Sequence, residues 1–148
     1  MTELPLVRVI NGPNLGRLGE REPEVYGKAS SEYLKTELEK AAEALRLRVE
    51  LSQHDAEGEM VSSIWEASDS AIGLVVNPAG YSHYSVAVLD AMKSFPGTIV
   101  EVHISQVLAR ERFRANLLTA TAADTVIIGA GVHGYVLALR YISSNIRP

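Results

Sequence analysis

The 148-residue sequence contains no cysteine, which excludes a disulfide framework and any zinc site built on thiolates. It also lacks a membrane span, since no stretch reaches the roughly 18 consecutive apolar residues that one needs. A basic tract is missing too. Net charge is −4, and nothing longer than Arg46-Leu47-Arg48 concentrates positive charge, so the footprint of a nucleic-acid partner is absent. The opening Met1-Thr2-Glu3-Leu4-Pro5 has no basic n-region and runs straight into a β-like segment, so no signal peptide is expected. Linkers, low-complexity tracts and internal repeats are likewise missing. These absences predict a cytoplasmic protein of one domain over residues 1–148, without nucleic-acid or membrane partners. Mild acidity still allows an anionic substrate, because a local group of arginines can act inside an acidic protein.

What is present is an alternation of apolar β-like runs and helix-period stretches. Residues 6–10 read as a strand. Leu34, Leu38, Ala41, Ala42 and Leu45 follow helical spacing, with Ser30 or Ser31 available as N-cap. Val49 and Leu51 suggest a second strand, and Met60, Ile64 and Ala67 a second helix. Residues 72–76 form a nearly continuous apolar run, as in a strand buried on both faces. Residues 85–92 read as a buried helix, 98–103 and 125–128 as strands. Tyr135, Ala138, Leu139 and Ile142 mark a closing amphipathic helix. This pattern predicts an α/β fold: a flavodoxin-like, doubly wound, parallel five-stranded sheet with helices on both faces. The polar segment 12–28, rich in Gly, Pro and Arg, is long for a compact domain and reads as a functional or mobile loop.

In open α/β sheets ligands sit beyond the carboxyl ends of the strands. There the first strand runs into Asn11-Gly12-Pro13-Asn14. The third runs into Asn77-Pro78-Ala79-Gly80-Tyr81-Ser82-His83, and the fourth ends Glu101-Val102-His103-Ile104-Ser105. Asn-Gly-Pro and Asn-Pro are also ordinary turn formers. Three strand ends delivering Asn, His, Glu and Ser to one edge outweigh that reading. Glu101 and His103 share a strand face, because side chains alternate, so the carboxylate can orient the imidazole. Arg110 and Arg114 nearby suit a carboxylate ligand, whereas Arg112 reads as a solvated residue.

Two other patterns carry less. Gly129-Ala130-Gly131-Val132-His133-Gly134 fits the dinucleotide spacing, but no acidic residue follows Asp124 to meet a ribose, so these glycines read as a tight turn with close packing. His54, His83, His103 and His133 form no local metal-ligand pair, so neither metal nor cofactor is expected.

At this point the residues resemble the type II 3-dehydroquinase family. The run Asn11-Gly12-Pro13-Asn14-Leu15-Gly16-Arg17-Leu18-Gly19-Glu20-Arg21-Glu22-Pro23-Glu24-Val25-Tyr26-Gly27 is similar to its N-terminal signature. The stretches from Asn77 to His83 and from Glu101 to Arg114, and the closing Gly134-Tyr135-Val136-Leu137-Ala138-Leu139-Arg140, match in order and spacing. The resemblance implies anti elimination of water from 3-dehydroquinate to give 3-dehydroshikimate, without metal or Schiff base. It implies Tyr26 as the base, Arg21 as the cation that holds Tyr26 charged, and His103 as the acid. Asn14 would organise a water at the enolate oxygen, and Glu101 would orient the acid. Asn77, His83, Ile104, Ser105 and Arg114 would bind substrate, with Asp90 reaching a neighbouring subunit's site in a dodecamer of trimers. A free tyrosine ionises near about pH 10, so a tyrosine base needs such a cation.

Some positions depart from the family's habits. Ala79 stands where glycine is usual, His54-Asp55-Ala56-Glu57-Gly58 replaces a usual Ser-Asn-x-Glu-Gly, Gln106 a usual Asn, Leu108 a usual His, and Ala115-Asn116-Leu117 a usual His-His-Ser. The change at 54–58 is expected to touch a subunit contact and not the chemistry. The changes after Ser105 keep open a non-catalytic or substrate-shifted relative that retains the sheet and a carboxylate pocket. A nucleotide binder on the same fold is a third reading, resting on fold analogy alone.

Overall fold

A computed structural model describes residues 2–20 and 30–146 of the chain. Its five strands are β1 (Leu6–Asn11), β2 (Arg48–Gln53), β3 (Gly73–Asn77), β4 (Thr98–His103) and β5 (Thr125–Ile128). They form one sheet in the order β2-β1-β3-β4-β5, every neighbouring pair parallel. This is the flavodoxin-like doubly wound order, with its switch point between β1 and β3.

Helices α1 (Ser31–Leu45), α2 (Glu57–Ser70), α3 (Val86–Lys93) and α4 (His133–Ser144) complete the layers. Leu34, Leu38 and Ala42 of α1 and Tyr135, Ala138 and Leu139 of α4 bury one sheet face with Val7, Val9, Val75, Val100 and Val102. Met60, Ile64 and Ala67 of α2 and Val88 and Met92 of α3 bury the other with Ile10, Leu74, Val76 and Ile99. Both faces of β3 are covered, which is why all five of its residues are buried and its sequence does not alternate.

Helix starts follow their caps. Ser30 is the N-cap of α1, its hydroxyl accepting from Tyr33 N at 3.0 Å. Ser31 instead donates to Leu15 O at 3.1 Å and pins the segment after β1. Ser85 caps α3, accepting from Val88 N at 3.0 Å. The third strand begins one residue later than its apolar run: pairing starts at Val7 opposite Gly73, and Ile72 is left exposed before it. Part of the 12–28 segment is ordered against the core. Residues 15–17 make a 3-10 turn whose Leu15 packs inside with Leu18. The glycines after β5 turn the chain, Gly129 and Gly131 at φ 83° and 63°. Gly134 then lets α4 close on β4 and β5, since a Cβ there would lie 3.3 Å from Ile127 and Val102 side chains.

The tips of β1 and β3 meet as closely. Gly12 N donates to Asn77 O at 2.8 Å, and a Cβ on Gly12 would stand 2.6 Å from Pro78 O. The three nearest atoms, Pro78 O, Pro78 C and Asn77 O, are all backbone, so Gly12→Ala must push two strand ends apart. The expected cost is about 1–3 kcal/mol, read as a lower urea midpoint at unchanged slope; an unshifted midpoint would contradict the close approach.

Candidate active site

The carboxyl ends of β1, β3 and β4 open on a cleft of about 140 Å³. Asn14, Asn77, Ala79, His83, His103, Ile104, Ser105, Arg110 and Arg114 all contribute to its wall. Six of the substrate-binding and catalytic candidates from the strand ends and the Arg-rich segment, with Asn14, are thus neighbours in space. Glu101 lies directly behind His103 and is wholly buried. Arg112 is exposed and outside the wall. Asp90 is exposed on α3 and does not reach the cleft of its own chain. Arg21 and Tyr26 lie outside the described residues.

Each wall residue is held by something the fold supplies. His103 Nε2 lies 2.8 Å from Glu101 Oε2. A carboxylate accepts, so Nε2 carries the hydrogen and Nδ1 is the ring nitrogen left for another partner. Glu101 Oε1 in turn accepts from Thr119 Oγ1 at 2.5 Å. On β3, Asn77 Nδ2 donates to Tyr135 OH at 2.9 Å, and Asn77 Oδ1 accepts from Ala79 N at 3.1 Å. The amide is therefore fixed in orientation at the cleft floor. Ala79 itself adopts φ 53°, a left-handed conformation that costs an alanine its Cβ clearance.

His83 is clasped from the segment after β4. Its Nδ1 lies 2.8 Å from Asn116 O, while Asn116 Nδ2 donates to His83 O at 2.9 Å. A carbonyl only accepts, so Nδ1 is protonated and the neutral ring presents Nε2 as an acceptor. Burial holds the His83 pKa below the ordinary imidazole value; the bond to Asn116 opposes this and the Arg114 charge reinforces it. Arg114 stands over the Phe113 ring at 5.1 Å, with its Nε 2.5 Å from Glu111 Oε2. That pairing lowers the Glu111 carboxyl and leaves the guanidinium charge at the cleft partly answered by an exposed carboxylate. Arg110 Nη1 approaches Ser105 Oγ at 3.4 Å.

The segment after β2 also braces the cleft from within this chain. Inside this chain, Asp55 Oδ1 accepts from Asn14 N at 3.0 Å and from Gln53 Nε2 at 2.8 Å, and both bonds lower its pKa. Gln53 Nε2 also donates to Gly12 O at 3.0 Å. Asn14 sits at φ 71°, a conformation asparagine tolerates, with its backbone anchored this way. Among the departures after Ser105, Gln106 caps the turn at Val107–Ala109 through Leu108 N, and Leu108 points outward. Sequence reasoning did not find Thr119, Asn116, Gln53 or Asp55 as supports of the cleft. Each acts across 18 to 41 residues, and no local spacing announces it.

These features define a doubly wound α/β protein whose switch-point cleft presents one carboxylate-backed imidazole, one neutral imidazole, amides and guanidinium groups to a small polar anion. Comparison with known proteins narrows this. The sequence model of the family described as dehydroquinase class II matches residues 5–143, and the chain belongs to that family. It is 47% identical to a 3-dehydroquinate dehydratase of Bartonella henselae, covering 93% of each chain. It is 44% identical to one of Mycobacterium tuberculosis, covering 99% of each. The crystal structure of a type II dehydroquinase from Propionibacterium acnes superimposes with a TM-score of 0.92 at 39% identity, over 98% of this chain and 99% of that one.

Two predictions follow from the wall. Ala79→Gly relieves the left-handed alanine, worth about 1–2 kcal/mol, against about 0.5–1 kcal/mol of added chain entropy. The variant should melt slightly higher, and a lower melting temperature would contradict the strain. For His83 the folded pKa is depressed, so the unfolded chain binds its proton first as pH falls. The stability it contributes is complete above the unfolded value of about 6.5 and is lost as pH drops through the lower folded value. Between about pH 7 and pH 5 the urea midpoint should fall more in the wild type than in His83→Asn, where this proton is absent.

Proposed function

We propose that the chain is a 3-dehydroquinate dehydratase, removing water from 3-dehydroquinate by anti elimination to give 3-dehydroshikimate. The observation that carries this reading is the convergence of Asn14, Asn77, His83, His103, Ile104, Ser105 and Arg114 on one cleft in a member of the class II dehydroquinase family. Tyr26 as phenolate takes the proton from C2, and the electrons pass into the ketone as an enolate. Arg21 stabilises the phenolate, because a nearby guanidinium lowers the cost of charging a group that ordinarily ionises near about pH 10. Asn14 orients a water toward the enolate oxygen. As the enolate collapses, the C1–C2 double bond forms and the C1–O bond breaks. His103 supplies the proton that lets the hydroxyl leave as water, and Glu101 holds the ring for that transfer. Asn77, His83, Ile104, Ser105 and Arg114 bind the hydroxyls and carboxylate of the substrate, the Ile and Ser partly through backbone groups. None of these steps asks for a metal or cofactor.

The same reading makes residues 1–148 one dehydroquinase domain working in the cytoplasm, in the shikimate route to chorismate and the aromatic amino acids or in quinate breakdown, which share this dehydration. Among the described residues no helix is long and apolar enough to cross a membrane. The assembly would be a homododecamer built from trimers, where the exposed Asp90 of one subunit faces a neighbour's cleft.

Mixing the protein with 3-dehydroquinate should raise the ultraviolet absorbance of a conjugated enone carboxylate. Tyr26→Phe and His103→Ala should each lower kcat by roughly 10²–10⁴-fold with the fold intact. A flat trace from folded wild-type protein would sink the reading. Thermal stabilisation by 3-dehydroquinate without turnover would instead favour a non-catalytic relative, the alternative suggested by the changes after Ser105.

A further inference from the structure

We infer that Thr119 is a positioning residue for the acid side of this cleft, acting through Glu101 on His103; the inference deepens the dehydratase reading and, in its kinetic part, rests on it. Thr119 opens the 3-10 turn Thr119–Ala122 between the Arg-rich segment and β5, and it is completely buried. It does not contribute to the cleft wall, so it cannot touch a ligand directly. Its hydroxyl meets Glu101, which sits in β4 between Val76 of β3 and Val126 of β5.

A carboxylate with no water contact needs its donors from the protein. Glu101 receives one on each oxygen: Thr119 Oγ1 on Oε1, and His103 Nε2 on Oε2 at 2.8 Å. The two oxygens are rigidly joined, so anchoring Oε1 fixes the direction of Oε2. That direction sets the imidazole plane and decides which ring nitrogen turns to the cleft. Without the hydroxyl, one oxygen of a buried carboxylate is left unanswered, a state that costs more than the bond itself. The Glu101 side chain would then rotate or recruit the His103 hydrogen differently, and the acid would lose its alignment. The position is outside every strand-end motif, which is why it carries no chemistry of its own in the sequence.

The test compares Thr119→Val, similar in shape but without the donor, with Thr119→Ser, which keeps it. In the Val variant kcat should fall on the order of ten- to hundredfold, as expected for loss of an outer-shell partner, with KM held within about threefold. Thr119→Ser should stay close to wild type. A second readout needs no turnover: the His103 Nε2–H resonance in a ¹⁵N-edited spectrum should be protected from exchange in wild type and Ser, and lost or broadened in Val. Thr119→Ala, which also removes the donor, takes the place of Val if that protein does not fold. Wild-type kcat and an unchanged resonance in the Val or Ala variant overturn the inference. So does a Ser variant as impaired as Val, since filled volume would then be what matters. A wild type that shows the protected resonance, loses it in Val, and leaves 3-dehydroquinate untouched overturns the dehydratase reading while supporting the Thr119–Glu101–His103 chain.

Discussion

The cleft depends on a single buried phenol. Tyr135 has no solvent contact, yet its hydroxyl donates to Asn11 Oδ1 at 2.7 Å and accepts from Asn77 Nδ2 at 2.9 Å. Burial pushes its ionisation well above the ordinary tyrosine range, and the two amide bonds only partly offset that. The group therefore stays a neutral donor. A phenol in this place without partners would cost several kcal/mol, roughly 2–7 by transfer measurements, so the three side chains must assemble together. Helix α4, from the far end of the chain, is thereby locked to the tips of β1 and β3. Those tips are the switch point where the cleft opens. Asn77 then uses its remaining oxygen on Ala79 N, which carries the order one step further, into the wall itself.

A second frame works from the other side of the sheet edge. Gln53, the last residue of β2, and Asp55, just past it, hold Gly12 O and Asn14 N, while Tyr81 OH donates to Asp55 O at 2.8 Å. The tip of β1 is therefore gripped between β2 and β3 before any ligand arrives. Gly12 makes that grip possible, because any side chain there would collide with Pro78. Preorganisation of this kind places the cost of ordering polar groups in folding and not in binding.

The sheet was readable because its signals are local. β4 and β5 stand where apolar runs end in polar turns, and Leu34, Leu38 and Ala42 announce α1 by spacing alone. The strand-end candidates were readable for a related reason: parallel strands covered on both faces are mostly apolar inside, so polar residues stand out near their carboxyl ends. What the sequence hid are the contacts that join distant segments. Asn116 clasps His83 across 33 residues, and Tyr135 looks like one more apolar position of α4 until its hydroxyl is placed. Asp55 carries no local signal of its role, because only the parallel register, which sets Gln53 beside Asn11, brings the end of β2 to the tip of β1. Ile72 misled for the opposite reason, as an apolar residue that precedes the strand it resembles.

The two histidines of the cleft show how one fold gives the same side chain two chemical settings. His103 is bound through Nε2 to an anion, so its ring can carry a positive charge without losing its partner. His83 is bound through Nδ1 to a neutral carbonyl and shares the cleft with Arg114, so a second positive charge there would be opposed. Protonating His83 would also remove the one acceptor it offers to a hydroxyl. The first arrangement suits a group that passes a proton and the second a group that only receives a hydrogen bond. What separates them is which ring nitrogen the backbone and its neighbours have already taken. The main-chain carbonyl of Asn116 supplies that choice for His83 and the Glu101 carboxylate supplies it for His103, so a peptide group and a buried anion are enough to set two like rings apart.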